Sequence, residues 1–164
     1  MKDKVSRINT EFYKNFPKIY LKPSMVNKFL KKYTNEVEKE IKNKFLQLKL
    51  DKNFVIYANG GFGRKEIFPI SDIDISIVEK NKSNNFKNLE EFISYLWDQG
   101  YKVGHSVRSI SDIKKISKKD IREFTSYLTR RPIISTNEMD NKINYALSKL
   151  WSKNNFYNAK FIEQ

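Results

Sequence analysis

The chain has 164 residues, 39% of them apolar and 14% aromatic, which is enough for one domain with a core and excludes a disordered tail. The sequence contains no run of about 18 apolar residues, so no membrane span is predicted. Its basic start is not followed by the apolar segment of a secretory signal. The absence of cysteine excludes disulfides and thiolate metal sites. These features favour a cytoplasmic location. The net charge of +13 is spread over scattered lysines, so it is interpreted as surface charge and not as a nucleic-acid site.

Helical periodicity begins after an N-terminal segment over residues 1–24. Pro23-Ser24 indicates a helix start, and apolar residues then recur three or four apart. These residues are Val26, Phe29, Leu30, Tyr33, Val37, Ile41 and Phe45. We therefore expect a long amphipathic helix at the start of a domain that spans residues 25–152.

Two predicted strands flank a glycine-rich turn in the next part of the chain. The run "NFVIYA", residues 53–58, is short and apolar, which is typical of a strand buried on both faces. The segment "GGFG", residues 60–63, interrupts it, and "FGRKE", residues 62–66, is predicted to be a short helical turn. The segment "DIDISIV", residues 72–78, alternates and is rich in isoleucine, so it predicts a second strand.

The second half of the domain adds a helix, a strand and a helical region. We predict a polar loop over residues 81–85, a helix over 86–98, a third strand over 101–108, and helices from 111 to 151 with a break near Arg131-Pro132. Residues 153–164 are expected to start a further helix or linker, which suggests a fragment. This order predicts an α/β (α+β) fold with a small mixed sheet, the site at its rim, and helices covering the other face.

The paired aspartates of the second strand are the first candidate site residues. Side chains two apart on a strand point to the same face, so Asp72 and Asp74 should lie about 7 Å apart while Ile73 and Ile75 face the core. Adjacent carboxylates repel one another, and a hard divalent cation is the usual partner. The pair therefore indicates a magnesium site, although a solvated strand edge is the simpler explanation for such a pair alone.

The glycine turn supplies the second half of the pattern. Gly60 and Gly61 allow backbone N–H groups to approach an anion, with positive charge from Arg64 and Lys65 and a hydroxyl from Ser71. A phosphate cradle beside magnesium carboxylates implies a nucleoside triphosphate that is attacked in line at its α-phosphorus. A lone Gly-Gly would indicate only a turn, but the combined spacing is far more specific.

The segment "GGFGRKEIFPISDIDI", residues 60–75, resembles the nucleotidyltransferase motif of the DNA-polymerase-β-like superfamily. More narrowly, the chain resembles the N-terminal domain of the bifunctional uridylyltransferase/uridylyl-removing enzymes that modify the PII nitrogen-regulatory protein. The segment "GYKVGHSVRSISD", residues 100–112, is similar to a second segment of that family, and "DIREFTSYLTRRPI" is more loosely similar to a third. The resemblance covers most of the chain from about Asn27 onward.

This resemblance implies transfer of UMP from UTP to a tyrosine of PII with release of pyrophosphate. It implies catalytic and magnesium-binding roles for Asp72 and Asp74, and nucleotide-binding roles for Gly60, Gly61, Arg64 and Ser71. In the family, uridylyl removal and glutamine sensing belong to later domains. We do not expect uridylyl removal here, since a single histidine cannot form a histidine-rich metal centre. We do not expect glutamine sensing either, since no second compact region remains to bind glutamine.

The chain departs from the superfamily pattern on its third predicted strand, "YKVGHSVR", which has no carboxylate. His105 and Arg108 lie there instead, and Asp112 is a candidate third carboxylate. His105 is interpreted as a structural histidine, and Arg108 as either a salt-bridge partner or a contact for nucleotide. Three alternative functions stay open: adenylyl transfer of the glutamine synthetase-modifying type, a non-catalytic nucleotide-binding regulatory module, and nucleic-acid binding, which rests on charge alone.

Overall fold

The computed structural model describes residues 22–81 and 86–163, together with Lys14. Most of the predicted N-terminal segment and most of the predicted loop over 81–85 lie outside these residues. Among the described residues, no helix combines the length and the apolar character needed to cross a membrane.

The first helix, α1, spans Pro23–Gln47 and confirms the prediction from periodicity. Proline suits its first turn because the missing N–H would have no intrahelical partner there. Its buried stripe repeats every three or four residues and comprises Leu30, Tyr33, Thr34, Val37, Ile41 and Phe45. A 3₁₀ turn at Leu50–Lys52 then leads the chain into the sheet.

The described residues form one four-stranded mixed sheet. Its strands are β1 (Phe54–Ala58), β2 (Ile73–Glu79), β3 (Val103–Arg108) and β4 (Arg131–Ile134), in the order β3-β2-β1-β4. β2 and β3 are parallel, whereas β1 is antiparallel to both β2 and β4. All five residues of β1 are buried, as expected for an apolar central strand. The predicted mixed α/β class is confirmed.

Six further α-helices are described, and their polar N-caps explain where several of them begin. They are α2 (Gly60–Gly63), α3 (Phe86–Asp98), α4 (Ile110–Ser117), α5 (Ile121–Leu128), α6 (Asn137–Leu147) and α7 (Lys153–Glu163). Ser109, Asp120 and Thr136 cap α4, α5 and α6 by accepting hydrogen bonds from backbone N–H groups. The prediction of a helix over residues 86–98 is confirmed, with the same bounds.

Helices cover both faces of the sheet, which corrects the expectation that they cover one. Phe54, Ile56 and Ala58 of β1 pack with the buried residues of α1 and α3 on one face. Val55 and Tyr57 pack with those of α4, α5 and α6 on the other. The cause is the continuous apolar run of β1, since a strand that is apolar on both faces needs a cover on each.

The predicted break in the helical pattern near Arg131-Pro132 is confirmed, and the chain there forms a strand, β4, which local periodicity did not predict. β4 pairs with β1 at the edge of the sheet, where a proline is tolerated because one side of the strand makes no ladder bonds. Arg131 also donates to the carbonyl of Gly63 at 2.9 Å and pairs with Glu38 of α1 at 2.8 Å. These contacts hold the edge strand against α1 and the glycine turn.

Candidate active site

The two aspartates lie where β2 begins, at the rim of the sheet. Asp72 directly precedes the strand and Asp74 is its second residue, and both are exposed. Ile73 and Ile75 are 1% and 2% exposed and belong to the core beneath. The alternation of the strand therefore presents a carboxylate to solvent on a well-packed support.

The carboxylate of Asp74 is in an unfavourable electrostatic setting. Partial burial raises its pKa above the ordinary value, and the neighbouring charge of Asp72 raises it further. The ionised pair therefore gains from a cation, and two carboxylates with open solvent access suit a magnesium ion that completes its shell with water and phosphate oxygens. Among the described residues, no group of three or more His, Cys, Asp or Glu side chains is placed to hold a metal.

Two glycines leave the space that the Asp74 carboxylate occupies. A Cβ on Gly104 of β3, which pairs with Asp74 in the parallel register, would lie 2.6 Å from Asp74 Oδ1. A Cβ on Gly60 would lie 3.1 Å from Asp74 Oδ2, and Gly60 has a left-handed φ of 53°. The Asp74 carboxylate thus lies between the backbones of Gly60 and Gly104, neither of which carries a side chain. A cation or phosphate can therefore approach it closely.

The glycine turn differs in detail from its prediction. Its helix, α2, spans Gly60–Gly63, so it begins at the glycines and ends where "FGRKE" was expected to continue it. With a single turn, it has only a small helix dipole to attract an anion. The backbone N–H of Asn59 donates to the Asp74 carbonyl at 2.9 Å and fixes the turn to β2. A Cβ on Gly61 would contact Ile67 at 3.8 Å and would leave Asp74 untouched.

A cleft of about 460 Å³ opens beside Asp74, between the sheet and α5. Most of the residues that line it have polar side chains. They belong to the glycine turn, to β2 and β3, and to α5 with the residue after it. The lining residues are Asn59, Gly60, Asp74, Ile75, Ser76, Gly104, His105, Ser106, Arg122, Glu123, Thr125, Ser126 and Thr129. The volume falls within the range of small-molecule sites.

The floor of the cleft contains hydrogen-bonding residues that the sequence reasoning missed. Asn59 Nδ2 donates to Ser76 Oγ at 2.5 Å, and Ser106 Oγ lies 3.5 Å from the same oxygen. Ser76 follows Asp74 on the same face of β2, and Ser106 is its partner on β3. The occurrence of a glycine inside a predicted strand could have marked Gly104 as a place of close approach. Only the register of β2 and β3 shows that the side chain next to it is that of Asp74.

Several predicted nucleotide-binding residues lie outside this cleft. Arg64 forms an exposed ion pair with Glu66 at 3.0 Å. Ser71 Oγ accepts from the backbone N–H of Phe68 at 3.2 Å, and Lys65 donates to Asn35 at 3.0 Å. Of the predicted phosphate-binding residues, Gly60 lines the cleft, whereas Gly61, Arg64 and Ser71 do not. The roles of these three stay predictions.

The other candidates have structural partners. His105 packs edge-on against Trp97, with ring centroids 6.0 Å apart. Arg108 donates to both carboxylate oxygens of Glu123 at 2.5 and 2.9 Å, and this pairing raises the pKa of its guanidinium. Asp112 forms the capping box of α4 with Ser109, whose hydrogen bonds lower the pKa of Asp112.

Comparisons with known proteins give one consistent group of relatives. No protein-family model matches the chain. A bifunctional uridylyltransferase/uridylyl-removing enzyme of Haemophilus influenzae is 38% identical over 113 residues, which is 66% of this chain and 13% of that protein. The enzyme of the same name from Hydrogenovibrio crunogenus is 32% identical over 136 residues, covering 80% of this chain and 15% of the relative.

One relative aligns over nearly the whole chain. The enzyme of this name from Acinetobacter baumannii is 28% identical over 164 residues, which is 98% of this chain and 18% of that protein. The chain therefore spans only a small part of the length of these relatives. Among solved structures, a toxin-antitoxin crystal structure with AMP-PNP matches with a TM-score of 0.44 and 16% identity, covering 74% of this chain and 90% of that one. That similarity is too weak to indicate function.

Proposed function

We propose, from the homology of this chain to a segment of the bifunctional uridylyltransferase/uridylyl-removing enzymes, that it is a nucleotidyltransferase domain that transfers UMP from UTP to a tyrosine of PII. The homology agrees with the resemblance found in the sequence motifs. The observation that carries the proposal is the Asp72–Asp74 pair, of which Asp74 lines a cleft with Gly60 and Gly104 against its carboxylate. Catalysis of this kind needs positioned charge around a triphosphate more than it needs a covalent nucleophile on the enzyme.

Asp72 and Asp74 would hold magnesium, which would neutralise the triphosphate and polarise its α-phosphorus. The remaining chemistry is a displacement in which the tyrosine oxygen forms a bond to the α-phosphorus and the bond to the β-phosphate oxygen breaks. Pyrophosphate leaves, and the tyrosine proton passes to one of the two carboxylates or to solvent.

The surrounding residues support this role by shape. β2 lies between β1 and β3, so the backbone of Asp74 is held by strand pairing at the edge of the cleft. The glycines on either side exclude side chains from the space next to it. The phosphate-binding roles proposed for Gly60, Gly61, Arg64 and Ser71 would place the triphosphate along the turn that ends at β2.

A non-catalytic nucleotide-binding module is the second candidate, and one observation favours it. Among the described residues, no third carboxylate is placed to share a metal with Asp72 and Asp74, and Asp112 is committed to capping α4. Such a domain would bind nucleotide with magnesium without turning it over. Adenylyl transfer to glutamine synthetase remains an alternative choice of substrates for the same chemistry.

The test is a transfer assay with purified chain, magnesium, and either UTP or ATP, using PII and glutamine synthetase as acceptors. We expect UMP to appear on PII with the wild type and not with Asp74→Asn. Transfer of AMP to glutamine synthetase would favour the alternative substrates. Nucleotide binding without transfer to either acceptor would favour the regulatory module, and the absence of both binding and transfer would overturn the proposal.

A further inference from the structure

Helix α5 forms the wall of the cleft that faces Asp74. Its apolar residues Ile121, Phe124 and Tyr127 are buried in the core on one side. Its other side presents polar residues to the cleft, namely Arg122, Glu123, Thr125 and Ser126. The amphipathic period of the helix thus places a cation across the cleft from the carboxylate pair.

The cleft has few positive charges for the anion that it is proposed to bind. Two acids line it, Asp74 and Glu123, and the charge of Asp72 acts on Asp74. Arg108 is committed to Glu123 through two hydrogen bonds, so its charge is largely neutralised. Among the described lining residues, Arg122 is the cation that remains to face a triphosphate.

The guanidinium of Arg122 is available for such a contact. Its side chain is 72% exposed, and both contacts of the guanidinium with the Asp120 carboxylate are long, at 3.4 and 3.5 Å. Asp120 serves mainly as the N-cap of α5, accepting from the backbone N–H of Arg122 at 2.8 Å. An exposed pair of this length holds the side chain only weakly, so little is lost when the guanidinium turns to another acceptor.

We propose that Arg122 binds the triphosphate of the nucleotide from the α5 side of the cleft, opposite Asp72 and Asp74. This inference rests on the proposed function and names a contact that the sequence motifs do not contain. The planar guanidinium donates two parallel hydrogen bonds to phosphate oxygens, which a lysine cannot reproduce. The phosphates then lie between a carboxylate pair and a cation on opposite walls.

The test measures equilibrium binding of fluorescent UTP and ATP, and of unlabelled UTP, UMP and uridine by competition, in magnesium at low salt. Variants are Arg122→Gln, Arg122→Lys, Arg64→Gln and the control Lys119→Gln, which removes the same charge from an exposed position outside the cleft. We expect Arg122→Gln to weaken triphosphate binding on the order of tenfold. Uridine affinity should not change, and Arg122→Lys should restore part of the loss. Lys119→Gln should bind as the wild type does.

The outcomes separate this inference from the proposed function. Wild-type affinity for triphosphate in Arg122→Gln, or an equal loss for uridine, would overturn the role of Arg122 and leave the proposed function standing. A loss in Arg64→Gln with none in Arg122→Gln would assign the phosphate contact to the glycine turn. A wild-type chain that binds neither UTP nor ATP would overturn the proposed function, and the inference with it.

Discussion

The substitution Gly104→Ala tests whether the position of the Asp74 carboxylate matters. The new Cβ would lie 2.6 Å from Asp74 Oδ1, far inside an ordinary contact, so the carboxylate must move by roughly 1 Å. A shift of that size at a reacting centre can cost about 100-fold in rate. Gly104 is exposed and its φ is not in the left-handed region, so alanine should change the free energy of unfolding by no more than about 1 kcal/mol.

Transfer rate and urea denaturation, measured on the same preparation, separate the two effects. Asn154→Ala is the control, because Asn154 is exposed and is not among the residues that line the cleft. We expect Gly104→Ala to fold normally and to lose most of its magnesium-dependent nucleotide binding and transfer, while Asn154→Ala keeps both. Wild-type activity in Gly104→Ala would show that the position of the Asp74 carboxylate does not matter, and so would equal losses in the two variants.

Three further predictions follow from the contacts at the site. In metal-free buffer, Asp74→Asn should raise the free energy of unfolding at neutral pH, because burial and Asp72 raise the pKa of Asp74 and its ionised form therefore destabilises the folded state. The gain should shrink as the pH falls and Asp74 becomes protonated in the wild type. Urea denaturation midpoints measured across pH check this trend. Asp112→Asn should retain nucleotidyl transfer because Asp112 caps α4, and a loss of transfer that a higher magnesium concentration restores would identify Asp112 as a metal ligand. Arg108→Ala should lower the free energy of unfolding by about 2 kcal/mol, because Glu123 loses a bidentate partner; an unchanged denaturation midpoint would contradict this.

The elements with a strong local pattern were predictable from the sequence. The stripe of α1, the apolar run of β1 and the alternation of β2 each follow from residues within one element. β4 was not predictable in this way, because its four residues include Pro132 and its pairing partner, β1, is more than 70 residues away in the chain. Local periodicity carries no information about such a distant pairing.

The site was predictable in part for the same reason. The carboxylate pair and the glycine turn are contiguous, so Asp72, Asp74 and Gly60 were identified from spacing alone. Gly104 and the α5 wall enter the cleft only through the parallel register of β3 and the packing of α5 on the sheet. A single sequence shows neither, so Arg122 was not distinguished from the other surface cations.

The position of a label in UTP tests the central claim most directly. Wild-type chain, magnesium and PII are incubated with UTP labelled at the α-phosphorus or, separately, at the γ-phosphorus, with Asp74→Asn as the control. We expect the α-label to become covalently attached to PII and the γ-label to be released as pyrophosphate, and we expect neither with Asp74→Asn. Attachment of the γ-label to PII, or attachment of the α-label at the wild-type rate by Asp74→Asn, would contradict the central claim.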